Sequence, residues 1–221
     1  MKTAVWRRED YERLPVIESD SQWMDLLHEC RQTETDITGV HVRQLDFTEE
    51  SWEGLDFSRV WFEGCRLAGV RISQCGFGDV WWDGCDLSGV EFRRSRLRGC
   101  RFEKGKGVGL TASDSYIRQT RFTGWNGRYG QWSSCTLEHT HWLDCDCREA
   151  LFSDCPLKDV TFSQTGLQQA QFFKTYLKGI DLTTCSLDGL SVSERMTELQ
   201  GAVVDLYQAA DLARMLGIVI R

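Results

Sequence analysis

Val60-Trp-Phe-Glu-Gly-Cys65-Arg-Leu-Ala-Gly-Val70-Arg-Ile-Ser-Gln-Cys75-Gly-Phe-Gly-Asp-Val80-Trp-Trp-Asp-Gly-Cys85-Asp-Leu-Ser-Gly89 carries one pattern repeated every five residues: small or apolar, polar, large apolar, polar, often glycine. The same count extends in both directions. Stepping in fives from Ile37 to Val192 visits 32 positions, and 28 of them are Leu, Ile, Val, Phe or Trp; the others are Gly107, Ala112, Gly127 and Cys147. An amphipathic helix places apolar residues every 3.6 positions and a half-buried strand every second one, so neither element alone accounts for a count of five. A fixed period sustained over most of a chain marks a repeat architecture. Two inward positions per unit, the bulky centre and the small residue two before it, describe a wall that turns a corner every five residues.

An unbroken repeat in 221 residues predicts one elongated body rather than several domains. The net charge of −7 is unevenly placed. Residues 1–92 hold 19 acids and 9 bases, residues 93–128 hold 2 and 10, and residues 129–221 hold 12 and 7, so acidic ends flank a basic belt. The charged start, MKTAVWRREDYERLP, has no signal-peptide character, and no apolar run approaches membrane-spanning length. A cytoplasmic protein with no membrane contact is expected.

Along the chain, residues 1–34 read as an N-terminal arm followed by a capping helix. Pro15 breaks the charged arm, which predicts loose order or a short helical turn. Ser19 to Arg31 predicts a helix capped at Ser19, Asp20 or Ser21, with Trp23, Leu26, Leu27 and Cys30 on one stripe, laid over the exposed end of the solenoid. The repeat body spans 35–204 with two interruptions. Around 48–54 an acidic run puts the phase of Trp52 in doubt. At 103–115, Gly105, Gly107 and Gly109 leave no residue to fill a core column, so a protruding loop is expected. After Val192 the phase slips, and residues 205–221 predict a final helix capped by Asp205 with Gln208 as capping-box partner, ended by Gly217 and followed by an apolar tail.

The units Cys65-Arg-Leu-Ala-Gly and Cys85-Asp-Leu-Ser-Gly resemble the A-(D/N)-L-x-x repeat of pentapeptide-repeat proteins. That resemblance implies an all-β solenoid, a right-handed quadrilateral β-helix with four units per coil. Residues 20 apart would then stack, at the roughly 4.8 Å spacing of neighbouring strands. The stacking places Arg66 by Asp86, Arg71 by Glu91 and Trp61 by Trp81 on the outside, and Phe62, Trp82 and Phe102 in one internal column. Leu199-Gln-Gly-Ala-Val-Val-Asp-Leu-Tyr-Gln-Ala-Ala and Arg214-Met-Leu-Gly-Ile-Val-Ile220 are similar to the C-terminal segment of the Qnr quinolone-resistance proteins, as are Ser115-Tyr-Ile117 and Gly54-Leu-Asp-Phe-Ser-Arg59 beside the two interruptions.

This second resemblance implies a non-enzymatic DNA mimic that binds DNA gyrase or topoisomerase IV and protects it from quinolones or related poisons. It implies a homodimer through a C-terminal dimerisation helix, with Leu206, Leu212, Leu216, Ile218, Val219 and Ile220 at the interface. It also implies partner-binding loops containing Glu49, Glu50 and Glu53, and Lys104, Lys106, Val108, Leu110 and Asp114. The alternative reading is a protein-binding scaffold or toxin-immunity protein with a different partner, presenting Trp61, Trp81 and Trp125, which fall at or near the surface. The basic belt is spread by the repeat over several faces, so no direct nucleic-acid contact is expected.

Catalytic and metal chemistry find no support. His139 and His141 occupy outward positions whereas Cys145 and Cys147 occupy inward ones, so the four cannot converge as zinc ligands do. Eight cysteines (Cys65, Cys75, Cys85, Cys100, Cys135, Cys145, Cys155 and Cys185) share the small inward position, where they act as small hydrophobes. No nucleophile and base converge, and Gly105-Lys-Gly-Val-Gly109 lacks the spacing of a phosphate loop. No cofactor is expected.

Overall fold

The computed structural model describes residues 6–215 and 217–220. The five-residue unit becomes a short extended segment followed by a bend, and from Ile37 to Leu177 the bend sets the residue two after the centre in the left-handed region. Glycine occupies it without strain at Gly64 and Gly84, and Arg94 and Lys104 adopt it at φ 47° and 54°. Four bends return the chain over itself, so Phe57 pairs with Phe77, Phe62 with Trp82 and Ile72 with Phe92, all parallel and 20 residues apart.

Four faces result. Face 1 is a seven-stranded parallel sheet running from Ile37–Thr38 to Leu157–Lys158. Face 2 has eight strands; Val16–Ile17 pairs with His41–Arg43, and the ladder continues to Thr161–Ser163. Face 3 is joined by single bridges through Asp46, Arg66, Asp86, Lys106, Asn126, Asp146, Gly166 and Ser186. Face 4 has eight strands from Ser51–Glu53 to Ser191–Val192. Inside, identical ring planes stack coil on coil: Phe62 on Trp82 at 4.2 Å, Phe102 on Phe122 at 4.6 Å, Phe122 on Trp142 at 5.1 Å and Trp142 on Phe162 at 4.8 Å. The parallel four-sided β-solenoid implied by the pentapeptide-repeat resemblance is the architecture of the chain.

The first interruption is absent. Ser51–Glu53 is a strand in register with Arg71–Ser73, and Trp52 is buried in phase. The second is also absent, and its physical resolution lies one coil away. Arg101–Glu103 and Thr111–Ser113 are ordinary strands, and Lys106 bridges both Asp86 and Asn126, so 103–115 is regular coil rather than loop. The space that Gly105, Gly107 and Gly127 leave empty is filled by the indole of Trp125, which turns inward and is 3% exposed. A Cβ at Gly105 would stand 2.7 Å from this ring, one at Gly127 3.1 Å from it, and one at Gly107 would overlap it. Trp125 therefore replaces two missing column residues from a position that in no other unit holds an aromatic side chain, and it is not a surface tryptophan.

Both ends are closed. Helix α2 (Asp20–Thr33, after the short α1, Arg8–Tyr11) starts at Ser19, whose hydroxyl accepts from the Gln22 amide. It lays Trp23 against Phe47 and Trp52 at ring separations of 5.1 and 6.0 Å. At the other end, a 3₁₀ turn (Thr197–Leu199) absorbs the phase slip, so that Asp181 bridges Val203 at an offset two residues longer than the regular coil. Helix α3 (Leu206–Met215) opens with a reciprocal pair: the Gln208 amide donates to Asp205 and the Asp205 amide to Gln208, both at 2.8 Å. The Gln208 side-chain amide also donates to the carbonyls of Leu182 and Cys185, satisfying backbone acceptors that the last coil exposes.

Candidate partner-binding surfaces

With no loop protruding at either expected place, the candidate contact surfaces are the coil faces and the two ends. Glu49, Glu50, Glu53, Lys104, Lys106 and Asp114 remain exposed on the coil, whereas Val108 is half-buried. Leu110 is 3% exposed and points into the core, so it contacts no partner. Lys106 pairs with Asp86 at 3.0 Å, and Glu50 accepts from the Trp52 indole at 3.1 Å.

The outward tryptophans of face 2 are not presented to solvent. His41, Trp61 and Trp81 stack in one outer column at 3.9 and 4.9 Å, and the arm crosses them. Tyr11 of α1 meets Trp81 edge-on at 5.6 Å, donates its hydroxyl to the Asp79 carbonyl at 2.7 Å and is itself buried; Trp6 and Leu14 complete the cover. Burial pushes the Tyr11 phenol well above its ordinary range. Guanidinium groups finish the joint: Arg8 lies over both Trp61 and Trp81, Arg59 over Trp6, and Arg101 donates to the Trp6 carbonyl. The arm is an ordered strap, and the aromatic staircase is its seat. The periodicity could locate Trp61 and Trp81 on the outside; the residue types Trp6, Tyr11 and Leu14 in an otherwise charged arm were the available sign of what covers them.

The basic belt proves to be a girdle. Arg93 and Arg94 end face 4, Arg96 and Arg98 lie on face 1, Arg101 and Lys104 on face 2 and Lys106 on face 3, all within one coil. Two coils further, Glu138 gathers two cationic groups, a phenol and an imidazole: Lys158 at 2.7 Å, Arg118 at 3.5 Å, Tyr116 at 2.5 Å and His139 at 3.8 Å. The Lys158 ammonium, then the Tyr116 hydroxyl and Arg118, hold its carboxyl down at about 2.

At the C-terminus, Leu206 and Tyr207 are 81% and 82% exposed and Val219 is 81% exposed; Ile218 and Ile220 are also exposed, while Leu212 packs partly on the core. Leu216 lies outside the described residues.

The ten cysteines are all buried, and the thiols of Cys65, Cys75, Cys85, Cys100, Cys135 and Cys155 each donate to the carbonyl 23 residues earlier. Burial raises Cys100 and Cys135 to about 12 and Cys145 to about 11. His139 faces Asp159 at 3.3 Å and His141 faces Thr161 at 2.8 Å on the outer surface, away from Cys145 and Cys147. No cluster of metal-ligating side chains occurs among the described residues, and no helix there is long and apolar enough to cross a membrane.

A family model described as pentapeptide repeats matches residues 73–106 in eight copies. Comparison with curated protein sequences gave no match. Among solved structures, the chain is similar to a trypsin-treated variant of QnrB1, a plasmid-mediated fluoroquinolone resistance protein, at 24% identity over 84% of this chain and 90% of that one, with a TM-score of 0.44. It is similar to HetL, involved in heterocyst differentiation regulation in the cyanobacterium Nostoc sp. strain PCC 7120, at 16% identity over 80% and 92% of the two chains, TM-score 0.33. It is also similar to a pentapeptide repeat protein of the Arabidopsis thaliana thylakoid lumen, at 18% identity over 56% and 69%, TM-score 0.39.

Proposed function

We propose that this pentapeptide-repeat protein is a non-enzymatic, cytoplasmic ligand of DNA gyrase or topoisomerase IV, acting as a dimeric DNA mimic that protects the enzyme from quinolones or related poisons. The observation that carries the proposal is the C-terminal end, where Qnr-like sequence coincides with an apolar surface that the single chain leaves open at Leu206, Tyr207, Ile218, Val219 and Ile220. A second copy covering this end would join two rods into one of double length. Each distal half would then carry the acidic coils of residues 1–92, with 19 acids against 9 bases, toward a basic DNA-binding saddle. Because the coil is unbroken, enzyme contact falls to flat faces and edges rather than to loops.

Two measurements separate the parts of this reading. Sedimentation should give a dimer for the wild type and a monomer for Val219→Asp; a wild-type monomer removes the double-length rod. Gyrase supercoiling in the presence of ciprofloxacin, with and without the purified protein, tests protection itself. The basic girdle favours one alternative, a protein-binding scaffold or immunity protein with a different partner, because a DNA mimic has no use for it. Recovery of a non-topoisomerase partner on affinity capture, without gyrase, would support that alternative.

A further inference from the structure

We infer that the edge between faces 4 and 1 is a docking site for an acidic protein segment, with the guanidinium groups of Arg93, Arg94, Arg96 and Arg98 as the recognising groups. All four are exposed, and among the described residues none has a carboxylate within ion-pair distance. Elsewhere in the girdle Lys106 is held by Asp86 and Arg101 is occupied by the arm, while Lys104, also unpaired, lies apart on face 2.

The neighbouring coil leaves the edge open. Ser73 stands beside Arg93, and Gly76 and Gly78 stand beside Arg96 and Arg98. Gly78 brings no side chain, and at Gly76 the Asp56 carboxylate stands where a Cβ would be; the surface forms a depression floored by Phe77-Gly78 and walled by Arg96, Arg98, Arg118 and Tyr116 on one side and Asp36 and Asp56 on the other. A peptide backbone can lie in this depression while its carboxylates reach the arginine forks, each of which can pair bidentately with a carboxylate.

Charge along the rod selects a short acidic segment over a duplex. A nucleic acid lying along the axis would carry its phosphates from the arginines past Asp114 one coil away on one side, and past Asp56 two coils away on the other. Polyanion binding gains from many phosphates neutralised in series, and this edge offers one coil of unpaired positive charge, since Arg118 in the next coil is engaged by Glu138 at 3.5 Å. A partner segment with a few Asp or Glu residues matches that single coil. The inference is independent of whether the partner is a topoisomerase.

The test uses the full-length protein and a fluorescein-labelled hexaglutamate peptide, with fluorescence anisotropy at low salt as readout and a labelled 20-base-pair duplex as comparator. The wild type should bind the peptide more tightly than the duplex. Arg93→Gln/Arg94→Gln/Arg96→Gln should weaken peptide binding about tenfold or more, since each exposed pair contributes a modest share. A control that removes equal charge elsewhere, Arg66→Gln/Arg71→Gln/Lys178→Gln, should bind like the wild type. All six side chains are exposed, so circular dichroism should report an unchanged fold. Failure of the wild type to bind the peptide, tighter binding of the duplex, or equal weakening by the control would each overturn the inference.

Discussion

Trp125 offers the sharpest test of how this solenoid tolerates a broken column. Its indole lies across Gly105, Gly107 and Gly127, where Leu67 and Leu87 fill the equivalent column in earlier coils. Trp125→Ala should cost about 3–5 kcal/mol, the transfer and cavity loss of a large buried aromatic. Gly107→Leu/Gly127→Leu, made alone, forces two side chains against the ring and should cost about 1–3 kcal/mol per site. The combination Trp125→Ala/Gly107→Leu/Gly127→Leu rebuilds the ordinary repeat, with two leucines restoring nearly all the heavy atoms that the indole gives up. Independent effects would sum to roughly 5–11 kcal/mol, whereas the compensation seen in the structure predicts a variant within about 2 kcal/mol of the wild type. Urea unfolding followed by circular dichroism and by fluorescence gives the four free energies, provided the two probes coincide. A combined variant as unstable as the sum of its parts would refute the reasoning, as would a Trp125→Ala protein that loses less than about 1 kcal/mol.

Three further outcomes are expected. Tyr11→Phe removes the bond to the Asp79 carbonyl and should lower stability by about 1 kcal/mol, while deletion of residues 1–14 should uncover Trp61 and Trp81 and red-shift their emission. The Glu138 carboxyl is held below its ordinary value of 4.5, so its stabilising effect is fully present above about pH 4.5 and is lost as pH falls toward about 2; Glu138→Gln should flatten the acid limb of the stability profile in that window. Buried thiols at Cys100, Cys135 and Cys145 should resist a thiol reagent at pH 8 until global unfolding, and rapid labelling of the native protein at these sites would contradict their placement.

The fivefold count made the wall legible because its period is set by backbone geometry that every unit shares. Phe57 over Phe77 and Phe62 over Trp82 follow from the count once the pentapeptide-repeat resemblance supplies four units per coil, and local capping chemistry placed the helix caps at Asp205 and at one of Ser19, Asp20 and Ser21, of which Ser19 is the cap. The count misled where a unit lacked its bulky residue. Gly107 read as a loop because the compensating group, Trp125, lies 18 residues later in a position that holds no other aromatic residue, and no local rule couples the two. Trp61 and Trp81 read as exposed for a similar reason: periodicity gives the side a residue faces, but not what other part of the chain packs there. The four free arginines were visible as RRSRLR in the sequence, yet their gathering on one edge needed the position of the bend at Arg94.

The proposed action on a topoisomerase meets its most direct test in gyrase-catalysed supercoiling at an inhibitory ciprofloxacin concentration. Titrating in the purified wild-type protein should restore supercoiled product in a dose-dependent manner, with restoration diminishing as salt is raised. Unchanged inhibition at every protein concentration would contradict the account.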